Sequence, residues 1–138
     1  MSDKSFLVDI VSPSKQVFSG KVVSLTAPGV EGNFQILYNH ADFLTSLTYG
    51  EIKLVIDDNT VIHYATSGGF LEVKDNKVII LAETIEKSDE IDIERSKEKL
   101  LESQKLLSEK NKNMDQNALM DSIRKAQNRI KIAEKYLS

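Results

Sequence analysis

The residues with the greatest chemical capacity in this 138-residue chain are few. There are two histidines, His40 and His63, and no cysteine. Without cysteine there is no disulfide framework, no thiolate zinc site and no thiol nucleophile. His63 falls within the apolar stretch Val61–Ala65 and reads as an ordinary strand residue. His40 lies in the loop Tyr38-Asn39-His40-Ala41-Asp42. No serine elbow or paired acid accompanies it, so a structural or docking role is preferred to catalysis. Gly29-Val30-Glu31-Gly32 has the wrong spacing for a phosphate loop, and no lysine motif follows it. Ser67-Gly68-Gly69 reads as a bulge or a place of close backbone approach. Two charged pairs remain. Asp92 and Arg95 are three apart, and Lys125 and Arg129 are four apart, so each pair shares one face if its segment is helical. Cations gathered there suit phosphate oxygens, while Asp92 could accept from a sugar hydroxyl or a base amine. A plain inter-helix salt bridge uses the same spacing and is favoured by spacing alone.

The elements that must carry these residues fall into two unlike parts. Residues 1–85 hold 6 Lys, no Arg, 10 Asp or Glu, all six glycines and both prolines. Residues 86–138 hold 12 Lys or Arg and 11 Asp or Glu, with no helix breaker. The contrast places a boundary near Glu86. Before it, short runs rich in branched residues alternate with turn signals: Phe6–Val11, Lys21–Thr26, Asn33–Leu37, Ile52–Ile56, Val61–Ala65, Phe70–Val73 and Val78–Leu81. Asp57-Asp58-Asn59-Thr60 and Lys74-Asp75-Asn76-Lys77 read as hairpin turns. Such spacing predicts an antiparallel β-sandwich or barrel.

After the boundary, two helices are expected. The first runs from about Glu90 to Lys110, with Ser88 or Asp89 as N-cap and Asp89, Glu90 and Asp92 crowding the dipole's positive end. Its stripe, Ile93, Leu100 and Leu107, is interrupted by Ser96 and Gln104. Asn111-Lys112-Asn113 is the turn, and Asn113 or Asp115 caps the second helix. There Leu119, Ile123, Ala126, Ile130, Ala133 and Leu137 step by 4, 3, 4, 3, 4, which keeps them on one face. The short turn makes the pair an antiparallel hairpin, in which Asp92, Arg95, Lys125 and Arg129 converge near the open end.

Composition excludes several function classes. Net charge is -3, too mild and of the wrong sign for a nucleic-acid module. The longest apolar run, Val78–Ala82, is far short of the roughly 20 residues of a membrane helix. The opening Met1-Ser2-Asp3-Lys4-Ser5 has no basic-then-apolar pattern, so no signal peptide is expected.

The order of features resembles the epsilon subunit of F-type ATP synthase, the counterpart of mitochondrial delta. Val11-Ser12-Pro13 with Val17-Phe18-Ser19-Gly20 is similar to its opening. Ala27–Phe34 followed by Leu37 and His40-Ala41 is similar to its central loop. Gly50 with Ile52, Ser67–Val73 and Leu81-Ala82-Glu83 complete the likeness. The family usually has glycine where Gln35 stands and prolines where Tyr38 and Asp42 stand. The resemblance implies a ten-stranded sandwich (residues 1–85) and a regulatory two-helix hairpin (residues 86–138). It also implies a non-catalytic rotor role: the sandwich on gamma, and His40, Ala41, Asp42, Phe43 and Leu44 on the ring of c subunits. The hairpin either parks or extends toward the alpha and beta subunits and blocks hydrolysis. The expected location is the cytoplasmic face of a bacterial plasma membrane, without a spanning segment.

No cofactor is required by the resemblance, but regulatory ATP is implied. Some members bind it through Ile-Asp-x-x-Arg-Ala, matched here by Ile91-Asp92-Ile93-Glu94-Arg95-Ser96 except for serine in place of alanine. The family's upstream acid falls on Glu86 and its two second-helix cations on Lys125 and Arg129, lysine replacing arginine at the first. A further family arginine falls on Glu102, which reverses the charge and weakens phosphate neutralisation. The alternative function is a free-standing ATP-sensing module outside any rotary complex. A hydrolase using His40 is the remaining, remote class.

Overall fold

The computed structural model describes residues 4–109 and 114–137. The expected turn Asn111-Lys112-Asn113, Lys110 and Ser138 lie outside them. Ten strands precede two helices: β1 (Phe6–Val11), β2 (Gln16–Val22), β3 (Ser24–Gly29), β4 (Gly32–Ile36), β5 (Phe43–Leu47), β6 (Gly50–Asp57), β7 (Thr60–Thr66), β8 (Gly69–Lys74), β9 (Lys77–Ala82), β10 (Ile85–Lys87), then α1 (Ile93–Ser108) and α2 (Gln116–Lys135). The chain forms two compact units, Met1–Lys87 and Ser88–Ser138. The division falls two residues beyond the sequence-based boundary, because Ile85–Lys87 pairs with β7 as a last strand.

In the first unit the hydrogen-bonded order is β10-β7-β6-β3-β5-β8-β9-β1-β2, with β4 on β3. Neighbours are antiparallel except β1 against β9. The sheet folds over itself as a sandwich because β3 belongs to both halves. It pairs with β6 through Ser24–Thr26 and with β5 at Gly29. Lys21–Thr26, expected as one strand, is two. β2 ends beside β1, and Val23 donates its N–H to the Val55 carbonyl (2.8 Å) as the chain crosses to β6. Inward residues of alternating strands form the core, with Val8, Ile10, Val22, Leu25, Ile52, Leu54, Leu71, Val78 and Ile80 fully buried.

Two turns show why residue type matters. In the β8–β9 hairpin, Asp75 and Asn76 both have positive φ (50° and 61°). That is the type I′ signature, whose twist matches the flanking strands. At Gly69 (φ +135°), a Cβ would lie 2.0 Å from the Leu81 carbonyl oxygen, so only glycine lets β8 enter its pairing with β9. The close approach expected of Ser67-Gly68-Gly69 is therefore of backbone on backbone.

In the second unit Ser88–Glu90 forms a 3-10 turn, and α1 begins later than expected. Asp92 is its N-cap, its carboxylate accepting from the Arg95 N–H at 3.0 Å. Neither Ser88 nor Asp89 caps it, because both lie in the preceding 3-10 turn. Asp115 caps α2, accepting from Asn117 and Ala118. A Lys97–Glu134 ion pair (3.6 Å) joins the start of α1 to the end of α2, so the helices are antiparallel. Leu119, Ile123, Ala126 and Ala133 are buried as their spacing predicts. Ile130 is only half-buried, Ile132 being buried instead, and Leu137 is exposed because α2 ends at Lys135 with Tyr136 as C-cap.

Candidate functional site

The outer face of the half-sandwich β5-β8-β9-β1 is unusually apolar. Register aligns Ser46, Phe70, Leu81 and Val11 in one cross-strand row, and Leu44, Glu72, Ile79 and Asp9 in the next. Residues two apart on a strand share a face, so both rows look outward, with Leu7 beside them. Leu44 is 70% exposed, Phe70 57% and Leu81 53%. Grouped, exposed large apolar side chains of this kind mark a contact surface. The sequence carried the signal in Val78–Ala82, an apolar run without alternation, which means that both faces of a strand are to be covered. Phe70, Leu81, Ile79, Val11 and Leu7 were absent from the expected site for want of that inference.

Polar groups frame the patch. Asp9 accepts from the Ser19 hydroxyl (2.6 Å) and pairs with Lys77 (3.3 Å). The Ser19 hydrogen bond first, and Lys77 next, hold its carboxyl below the usual range.

At one end of this half-sandwich lies the expected ring-contact segment. It is part loop and part strand: His40, Ala41 and Asp42 precede β5, while Phe43 and Leu44 open it. Phe43 pairs with buried Val73 on the core side, and its ring meets Phe34 edge-on (centroids 5.3 Å). Leu44 faces outward and belongs to the apolar face. The His40 ring leans on Phe43 (5.8 Å) and its Nδ1 lies 2.8 Å from the Ala41 carbonyl, which calls for the Nδ1–H form. His40 also donates its backbone N–H to the Leu37 carbonyl. Exposed Leu37 and Tyr38 add to the apolar character of this region. His63 lies elsewhere, in β7, 2.7 Å from Glu51 of β6.

The residues expected to hold a nucleotide are distributed over both units. Glu86 is in β10, opposite Ala65. Ile91 is buried just before α1; exposed Asp92 and Arg95 and half-buried Ser96 follow at its first turn. On α2, Lys125 is paired with Asp121 (2.9 Å), and Arg129 lies one turn further on. With Lys97 level with Glu134, the rise per residue sets Arg129 about 8 Å and Lys125 about 14 Å toward the hairpin tip. Asp92 and Arg95 lie on the other side of that level. The four are therefore staggered along the hairpin, and the Asp92 carboxylate has a helix to cap. Among the described residues no cluster of three or more metal-ligating side chains occurs.

The chain thus combines a small β-sandwich that bears exposed, grouped apolar side chains with a second unit of two charged antiparallel helices, an α+β protein with its β and α parts segregated. The chain belongs to the ATP synthase delta/epsilon chain family, whose β-sandwich domain model matches residues 5–88. The ATP synthase epsilon chain of Desulforamulus reducens is 38% identical over 131 residues, covering 95% of this chain and 98% of that one. The epsilon chain of Anaeromyxobacter dehalogenans strain 2CP-1 is 39% identical over 127 residues, covering 91% and 96%. A chain of the Euglena gracilis mitochondrial ATP synthase structure (OSCP/F1/c-ring) superposes with a TM-score of 0.78 at 18% identity, over 90% of this chain and 78% of that one, which is a likeness of fold. No helix among the described residues is long and apolar enough to cross a membrane.

Proposed function

We propose that this chain is a non-catalytic rotor subunit of a bacterial F-type ATP synthase, peripheral to the cytoplasmic face of the plasma membrane. In this reading the outer face of β8-β9-β1 docks on gamma, and His40–Leu44, with Leu44 at the margin of that face, touches the c-ring. The hairpin restrains ATP hydrolysis when it reaches toward the alpha and beta subunits. The observation that carries the reading is the exposed Leu44/Phe70/Leu81 face on a sandwich of this family. The face has the apolar anchors of an interface core, with Glu72 set among them between Leu44 and Ile79 and charged Asp9 and Lys77 toward the β1 side.

Capture of gamma by the full chain tests it. A charge at the centre of an apolar interface is left without water or a partner, so Leu81→Glu and Phe70→Glu should each weaken capture at least thirtyfold, the scale of losing a hot spot of about 2 kcal/mol. Leu101→Glu, an equally exposed leucine on α1, should leave it unchanged. Equal affinity of all three variants and the parent would reject the assignment. Loss of residues 88–138 should raise hydrolysis by the assembled enzyme without loss of assembly.

Regulatory ATP belongs to the same proposal. Arg95, Lys125 and Arg129, staggered along the hairpin, suit an elongated polyanion better than a compact one, with Glu86, Ile91, Asp92 and Ser96 as the remaining set. A bound nucleotide stabilises the state it prefers by about 2.7 kcal/mol at a hundredfold excess over Kd. Titration calorimetry of the full chain with ATP should give heat that Arg95→Ala abolishes; silence at millimolar ATP would remove this part.

A further inference from the structure

Three segments far apart in the chain meet at Asn76. Its Oδ1 accepts the Asn39 backbone N–H (2.8 Å), its Nδ2 donates to the Ser5 carbonyl (3.2 Å), and its own carbonyl accepts the Leu7 N–H (3.4 Å). The partners fix the amide orientation, since an N–H demands the oxygen and a carbonyl demands the nitrogen. The turn does not need this side chain. With positive φ at both central positions, a type I′ turn takes glycine at the second at least as readily as asparagine. Asn39 is itself left-handed (φ 61°), and it immediately precedes His40 in the segment Leu37–Asp42. Among the described residues, the hydrogen bonds of that segment are the Asn39–Asn76 bond and two local ones at His40. The clip is thus a long-range polar tie of this segment to the sheet.

We propose that Asn76 is a positioning residue: its side-chain amide clips the loop Leu37–Asp42 to the β8–β9 turn and the start of β1, and so holds the ring-contact residues in docking shape. This rests on the reading that His40–Leu44 meets the c-ring. Asn76 touches no partner in this account and acts through Asn39.

The experiment uses the full chain and four variants. Asn76→Gly deletes both side-chain bonds and keeps the turn. Asn76→Asp keeps the acceptor for Asn39 and loses the donor to Ser5. Asn59→Gly, in the other hairpin turn, is the control, and Leu44→Ala tests the contact directly. Three quantities are read: amide hydrogen exchange at Asn39, capture of the purified c-ring in detergent, and capture of purified gamma. The expected result is at least tenfold faster exchange at Asn39 in Asn76→Gly, with ring capture about five- to tenfold weaker, the scale of one or two hydrogen bonds. Gamma capture should be unchanged, Asn76→Asp should restore most of both effects, and Asn59→Gly should resemble the parent. Unaltered exchange at Asn39 in Asn76→Gly overturns the clip. Faster exchange with undiminished ring capture overturns the positioning role, provided that Leu44→Ala weakens capture. If Leu44→Ala also leaves ring capture intact, the ring-contact reading itself fails and takes this proposal with it. Loss of gamma capture in Asn76→Gly would show a general structural role and overturn the specific one.

Discussion

Asp92 caps α1, and the proposed ligand role would draw on the same carboxylate; a substitution series separates the two. Its backbone is extended (φ -83°, ψ 100°) and its side chain accepts from the Arg95 N–H at 3.0 Å. It thereby satisfies one of the orphan donors at the start of α1 and places negative charge at the dipole's positive end. Asp92→Ala removes both effects, at a cost of about 1 kcal/mol on general cap energetics. Asn and Ser cap about as well as Asp, so Asp92→Asn and Asp92→Ser should cost only a few tenths.

The size of the melting shift then reports how the molecule unfolds. Unfolding entropy is about 2.1 cal/mol/K per residue. If the unit Ser88–Ser138 melts by itself, 1 kcal/mol lowers its Tm by about 9 °C; if all 138 residues melt together, by about 3 °C. Helical circular dichroism on heating, followed alongside the near-ultraviolet signal of the tyrosines, reads both. Asp92→Ser or Asp92→Asn melting as low as Asp92→Ala would refute the cap as the source of the effect. An ATP response lost in Asp92→Asn without a change in melting would assign the carboxylate to the ligand as well.

Gly69→Ala should cost more than about 3 kcal/mol in denaturant unfolding, since the new Cβ meets the Leu81 carbonyl oxygen at 2.0 Å in a positive-φ conformation. Ile132→Ala should cost about 2–5 kcal/mol and Leu137→Ala under about 0.5, because the first is 3% exposed and the second 71%. Equal costs would mean that the hairpin packs differently. Asp9 has its pKa depressed by Ser19 and then Lys77, so the stability it contributes is present above its unfolded value and is lost as pH falls through the lower folded one, below about pH 4. Ser19→Ala should move the Asp9 titration, followed by carboxyl NMR, back toward the ordinary value; an unmoved titration would exclude the hydroxyl as the main cause.

Local chemistry was legible in the sequence and long-range pairing was not. Lys74-Asp75-Asn76-Lys77 announced its hairpin because turn geometry is set by the residues in the turn. The period of Leu119, Ile123, Ala126 and Ala133 announced a buried helix face for the same reason. β5 was missed because Phe43–Leu47 has no alternation of its own and is a strand only by pairing with β8. β10, three residues long, exists only because β7 has a free edge for it. The start of α1 was displaced because Ser88, Asp89 and Asp92 are all good caps, and the 3-10 turn consumed the first two. Among the candidate residues, the loop around His40 was named from resemblance. The apolar face was named by neither composition nor period, since it is created by the registers of β5, β8, β9 and β1.

The two units differ in how much apolar surface they bury. Among the described residues the sandwich holds seventeen buried hydrophobic residues, many of them branched and fully buried, and its strands are joined through distant parts of the chain. In the second unit the buried apolar residues among those described are Ile91, Leu119, Ile123, Ala126, Ile132 and Ala133, two of them alanines. α1 contributes a single buried side chain to it, Ser103, in sixteen residues. Burial free energy scales with apolar area, so a seam to which α1 brings a buried serine, facing one leucine, two isoleucines and two alanines of α2, holds the helices together less strongly than the sandwich core holds its strands. A regulatory equilibrium requires states within a few kcal/mol of each other, and segments that rearrange come from the weakly packed end of a structure. Strengthening the seam would therefore work against regulation. Ser103→Leu should raise the melting temperature of the hairpin and, on the proposed reading, weaken its restraint of hydrolysis, whereas a variant that melts higher with hydrolysis unchanged would separate packing strength from the proposed switch.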